Sequence, residues 1–131
     1  MIQKEIIEYN KRCAEFLGAE VNDILERIYI DKMKDDEMIF HNHSVTLQTY
    51  EWNGTTNIHY IPFDMLQFHS DWNWIHEITT AINKTQNPKQ SGDTTHSTLK
   101  REVQALLGKS AKEAVVQAIN QFLIWYNENK N

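Results

Sequence analysis

The dipeptide Asn53–Gly54 constrains this chain more than any other feature. Both residues tolerate positive φ, as a two-residue type I′ hairpin turn demands. Such a loop fixes the register: Trp52 faces Thr55, Tyr50 faces Asn57, Gln48 faces His59 and Leu47 faces Tyr60. Side chains alternate along a strand, so the pairing sorts them onto two faces. Val45, Leu47, Thr49, Ile58 and Tyr60 form the expected core face. Thr46, Gln48, Tyr50, Trp52, Asn57 and His59 form the other, polar but rich in aromatic rings. An open, half-wet outer face is the default for a hairpin; an aromatic one also suits a partner. Ile28–Ile30 and Met38–Phe40 read as further strands, and the charged stretch Lys32–Glu37 as a turn. Residues 19–26 fit a short helix or a connector equally well.

Helical spacing governs the rest. Ile6, Tyr9, Cys13, Phe16 and Leu17 share one stripe, and Gly18 follows where a helix end wants positive φ, so residues 3–17 read as a helix. Cys13 on that stripe reads as a small buried hydrophobe, not a reactive thiol. Ser70 is the expected cap of a second helix, Asp71 to Lys84. Its buried stripe is Trp72, Ile75, Ile78 or Thr79, and Ile82, widened by Trp74 and Ala81. Residues 85–97 contain no large apolar residue and read as a mobile polar loop. Leu99, Val103, Leu106 and Leu107 suggest a short third helix stopped by Gly108. Ser110 and Glu113 form a capping box for the last helix, with Asn127–Asn131 as a polar tail. Val115, Val116, Ala118, Ile119, Phe122, Leu123, Trp125 and Tyr126 cover more than one stripe. Such a helix is central to a core, or it serves a homo-oligomer built through it. The expected fold is α+β: an antiparallel sheet of three to four strands packed against the N-terminal, central and C-terminal helices, in one domain over residues 1–131.

Charge and composition exclude some classes. Thirteen basic and eighteen acidic residues leave a net charge of −5, the wrong sign for a general nucleic-acid coat. One cysteine forbids an internal disulfide and a Cys-rich zinc site. No apolar run approaches the roughly 20 residues that cross a bilayer, and the polar, periodic first ten residues do not read as a signal peptide. A cytoplasmic location without membrane contact is expected.

Catalytic signals are sparse. His41 and His43 lie two apart, which in a strand puts both imidazoles on one side, and His59, His69 or His76 could add a third metal ligand. Scattered surface histidines are the default. Gly108–Lys109–Ser110 resembles the end of a phosphate-binding loop, but Val103 stands where that motif needs glycine. Asp31, Asp35, Asp36 and Glu37 lack EF-hand spacing and read as a solvated turn. No catalytic residue, cofactor or metal is expected.

Three segments carry a resemblance. They are Ala14–Gly18, Phe68–Ile75 with its Trp72–Asn73–Trp74 helix start, and Ala114–Val116 with Phe122–Leu123–Ile124–Trp125–Tyr126–Asn127. The chain resembles a family of small uncharacterised α+β proteins common in bacteriophages, prophages and Bacteroides-type genomes. It departs from that pattern after Lys84, where the family continues with a strand. The resemblance implies a mobile-element setting and no particular reaction. The first functional expectation is a non-enzymatic phage or mobile-element accessory protein that binds a host protein through Tyr50, Trp52 and His59. The second is a small-molecule sponge for a nucleotide signal of host defence, with aromatic rings on the base and Lys100 and Arg101 on phosphates. The third, and least supported, is a metal hydrolase using His41, His43 and a further histidine.

Overall fold

The computed structural model describes residues 1–29, 32–34, 37–40, 43–46, 60–88, 94–109 and 111–130, the strands between 32 and 46 through their backbone alone. Helix α1 spans Gln3–Phe16. It ends as Gly18 requires: at φ 96° the Gly18 N–H reaches Glu15 O, and the Ala19 N–H reaches Ala14 O. This paired closure satisfies carbonyls that a helix end leaves without partners, and buried Ala14 and Ala19 supply the apolar contact that accompanies it.

Strands β1 (Glu20–Asn22), β2 (Arg27–Tyr29) and β6 (Tyr60–Pro62) form one antiparallel sheet in the order β1-β2-β6. A second sheet, in the order β3-β4-β5, holds β3 (Lys32–Lys34), β4 (Glu37–Phe40) and β5 (His43–Thr46). Lys32–Lys34 is therefore strand, not turn; Lys34 pairs opposite Glu37 and Lys32 opposite Ile39. The ladder overrides the charge-based reading, because backbone pairing with a neighbouring strand, not local charge, decides the conformation here.

In the first sheet the register lines up Val21, Ile28 and Ile61 in one row across the strands. Ile28 and Ile61 are fully buried. The alternation then turns Tyr60 outward, 40% exposed, where the Arg27 guanidinium lies 4.1 Å from its ring centroid. Tyr60 is thus not a core residue; Ile61, one place on, takes the inward position. Residues 47–59, with the expected Asn53–Gly54 turn, lie outside the described residues, and the flanking strands β5 and β6 belong to different sheets.

After a 3-10 turn at Phe63–Met65 come α2 (Trp72–Asn83), α3 (Thr95–Leu106) and α4 (Lys112–Asn129). Asp71, not Ser70, caps α2: its carboxylate accepts the Asn73 N–H at 2.8 Å. Trp72, in the first turn, stays 38% exposed, with the Lys112 ammonium 5.5 Å from its ring centroid, while Trp74, Ile75, Ile78, Thr79, Ala81 and Ile82 are buried. The polar stretch after α2 ends sooner than its composition suggests. Thr95, His96 and Ser97 already belong to α3, and His96 is buried against the rings of Phe122 and Trp125. Gly108 stops α3 at φ +82°. The N-cap of α4 is Ala111, Ser110 lies outside the described residues, and the supposed polar tail is helical to Asn129.

The core gathers the inner faces of α1, α2, α4 and the first sheet around Tyr9, Phe68, Trp74, Ile119 and Phe122. Burial of six residues along α4 assigns its broad apolar surface to this core. Cys13 is fully buried, and burial pushes its thiol up, so it stays protonated as a packing residue.

Candidate functional site

The four-residue connection between β1 and β2 is Asp23–Ile24–Leu25–Glu26. It exposes two large apolar side chains in succession, Ile24 at 93% and Leu25 at 52%. Local bonds hold it in shape. Asn22 Oδ1 accepts the Leu25 N–H at 3.0 Å, an Asx-type closure. The Glu26 carbonyl accepts the Phe63 N–H at 2.9 Å, tying the turn to the 3-10 segment. Lys11 of α1 pairs with Asp23 and stands 5.3 Å from the Phe63 ring centroid. Glu26 itself sits at φ 52°, a conformation that costs an L residue about 1–2 kcal/mol. Beside the turn lies a groove of about 280 Å³ walled by Ile7, Leu25, Pro62 and Phe63. Exposed Glu26 and Asp64 and half-buried Arg27 complete its lining.

Among the residues expected to make contact, Tyr50, Trp52 and His59 lie outside the described residues. Lys100 donates to Thr85 O at 3.3 Å, and Arg101 beside it on α3 is exposed. His41 and the side chain of His43 also fall outside. Among the described residues no group of three or more His, Cys, Asp or Glu side chains could hold a metal. Nor is any described helix long and apolar enough to cross a membrane.

Two histidines have definite proton positions. Asn10 Oδ1 faces the Phe68 N–H, so Asn10 Nδ2 must be the atom that meets His69 Nδ1, 3.0 Å away. Nδ1 therefore accepts, and neutral His69 carries its proton on Nε2. Thr85 spends its hydroxyl proton on Ile82 O at 2.7 Å, so His96 Nε2–H is the donor to Thr85 Oγ1 at 2.9 Å. Burial first, then nearby Lys112 for His69 and Lys100 for His96, pushes both pKa values below the ordinary one of about 6.5. The unfolded chain then binds more protons than the folded one at mildly acid pH. Stability is complete above pH ~6.5 and falls as pH drops below it, at most about 1.4 kcal/mol per pH unit for each histidine. Urea midpoints between pH 7.5 and 5.5 should decline, and the decline should flatten in His69→Gln/His96→Gln. A flat wild-type profile would contradict the assignment.

The exposed turn had a weak sequence signal. Residues 19–26, which fit a short helix or a connector by sequence, instead hold β1 at Glu20–Asn22 and this turn, with Ile24–Leu25 standing between acidic Asp23 and Glu26. Comparison of the chain with protein-family models, curated proteins and solved structures gives no match to any of them.

Proposed function

We propose that this chain is a non-enzymatic binding protein that docks on a protein partner through the β1–β2 turn. One observation carries the reading: Ile24 and Leu25 face solvent side by side on a turn braced by Lys11, Asn22 and Phe63. Burying two such side chains is worth roughly 1.5–3 kcal/mol each, and a braced turn loses little freedom on association. The neighbouring groove offers the partner a place for its own apolar group. Two carboxylates, Glu26 and Asp64, against one guanidinium, Arg27, leave the described lining one negative charge in excess, which favours a partner with basic residues around an apolar socket. A host protein as that partner, a phage or mobile-element setting and a cytoplasmic location belong to the same proposal and rest on the resemblance of the three segments.

The test compares wild type with Ile24→Asp/Leu25→Asp as bait in host lysate. The exposed positions predict an unchanged melting temperature. Loss of the wild type's captured protein by the variant, a drop of about tenfold or more, is expected for anchors at an interface centre. Equal capture by both, or capture by neither, would overturn the reading.

A further inference from the structure

The C-terminal ends of three helices converge on the far side of α1 from its first turn. Between them lies a cleft of about 410 Å³ lined by Glu15 and Phe16 of α1, Lys84 and Thr85 after α2, and Tyr126 and Lys130 at the end of α4. That volume is within the range of small-ligand clefts, roughly 300–1,000 Å³.

The walls are chemically sorted. Phe16 meets Tyr126 edge-on, centroids 5.3 Å apart at 78°, and Tyr126 stacks on Phe122 at 5.8 Å and 19°. This gives the cleft a fixed, half-buried aromatic side. Thr85 is held on three counts: its hydroxyl donates to Ile82 O and accepts from His96, and its carbonyl accepts from Lys100. The polar wall is therefore built before any ligand arrives.

Charge decides the ligand's sign. Helix C-termini carry partial negative charge, which would favour a cation, and a lysine at each end could simply answer it. Here much of that charge is already met within the fold. Ala81 O accepts the Lys84 N–H, Ile82 O the Thr85 N–H, Glu15 O the Gly18 N–H and Trp125 O the Asn129 side chain. The ammonium groups of Lys84 and Lys130 form no ion pair among the described residues, and Glu15 is the one carboxylate of the lining. Among the described lining residues, two lysines against one glutamate leave one positive charge in excess.

We propose that this cleft binds a small organic anion bearing a planar ring, of the size of a nucleoside monophosphate. Lys84 and Lys130 take the anionic group, the Phe16–Tyr126 side takes the ring, and Glu15 accepts from an amine or hydroxyl of the ligand.

The test is a nuclear magnetic resonance titration of the whole chain with adenosine, guanosine, cytidine and uridine 5′-monophosphates. Inorganic phosphate and the four unphosphorylated nucleosides serve as references. At least one monophosphate should shift the amides of Glu15, Thr85 and Tyr126 saturably. Its nucleoside and inorganic phosphate should each bind about tenfold more weakly or worse. Lys84→Ala/Lys130→Ala should weaken binding by about tenfold or more, while Lys84→Arg/Lys130→Arg stays within about threefold of wild type. Both lysines lie at helix ends, so unchanged spectra elsewhere report that the variants fold. No saturable shift with any monophosphate, binding undiminished in the alanine variant, or phosphate binding as tightly as the nucleotide would each overturn the proposal.

Discussion

Phe122→Ala is expected to destabilise the protein by about 3–5 kcal/mol, seen as a lower urea midpoint with little change in slope. Phe122 is fully buried on α4 and joins two groups of rings. On one side it meets Phe16 edge-on at 6.1 Å and stacks on Tyr126. On the other it lies 5.8 Å from His96 and 6.3 Å from Trp125. Truncation removes the transfer energy of the ring and leaves a void that α1, α3 and α4 share. Those helices are fixed by other contacts, so the void cannot close fully. Against a total stability of about 5–15 kcal/mol, such a loss brings the fold close to its limit. A cost under about 1 kcal/mol would mean that the aromatic cluster is loosely packed.

Asn10→Ala should cost about 2–4 kcal/mol although it removes only a small polar group. Asn10 is 1% exposed and holds together two neighbours distant in sequence, accepting from Phe68 N–H and donating to His69 Nδ1. Tyr9 OH donates to Phe68 O at 2.9 Å beside it. Alanine leaves the buried Phe68 N–H without an acceptor, and that unmet donor dominates the loss. Asn10→Asp separates the two roles. It keeps an acceptor for Phe68 N–H but presents only oxygens to His69 Nδ1, which must then carry a proton to bond. The His69 pKa should rise in that variant instead of falling. Its contribution to stability would then be present below pH ~6.5 and lost as pH rises through the folded value. The imidazole proton shifts of His69 followed against pH would report the change. A His69 pKa still below the ordinary value in Asn10→Asp would contradict the network.

Local chemistry made much of this fold legible. The stripe Ile6, Tyr9, Cys13, Leu17 with Gly18 behind it describes α1 and its closure, since both the period and the positive φ are properties of neighbouring residues. The density of apolar residues along α4 required burial on more than one side, and the core provides it. Readings that depended on a choice between near-equal local options fared worse. Ser70 and Asp71 are both good caps, and the helix begins one residue later than Ser70 would cap it, so Asp71 takes the Asn73 N–H. Trp72 and Trp74 are both large and apolar, and packing against Phe68, with Trp74 at 4.8 Å centroid to centroid, buried the second. His96 reads as loop in sequence because residues 85–97 contain no large apolar residue; Phe122 and Trp125 meet it only after α3 and α4 come together.

By itself, then, the sequence determined the helical stripes, the stops at Gly18 and Gly108 and the α+β composition, because these follow from backbone preference and residue period over a few positions. Tertiary structure alone decided the row of Val21, Ile28 and Ile61, the outward turn of Tyr60, the exposure of Ile24 and Leu25 and the meeting of Lys84 with Lys130 around one cleft. Each of these depends on which distant segments become neighbours, and that follows from the summed burial of the whole core rather than from any short stretch of chain.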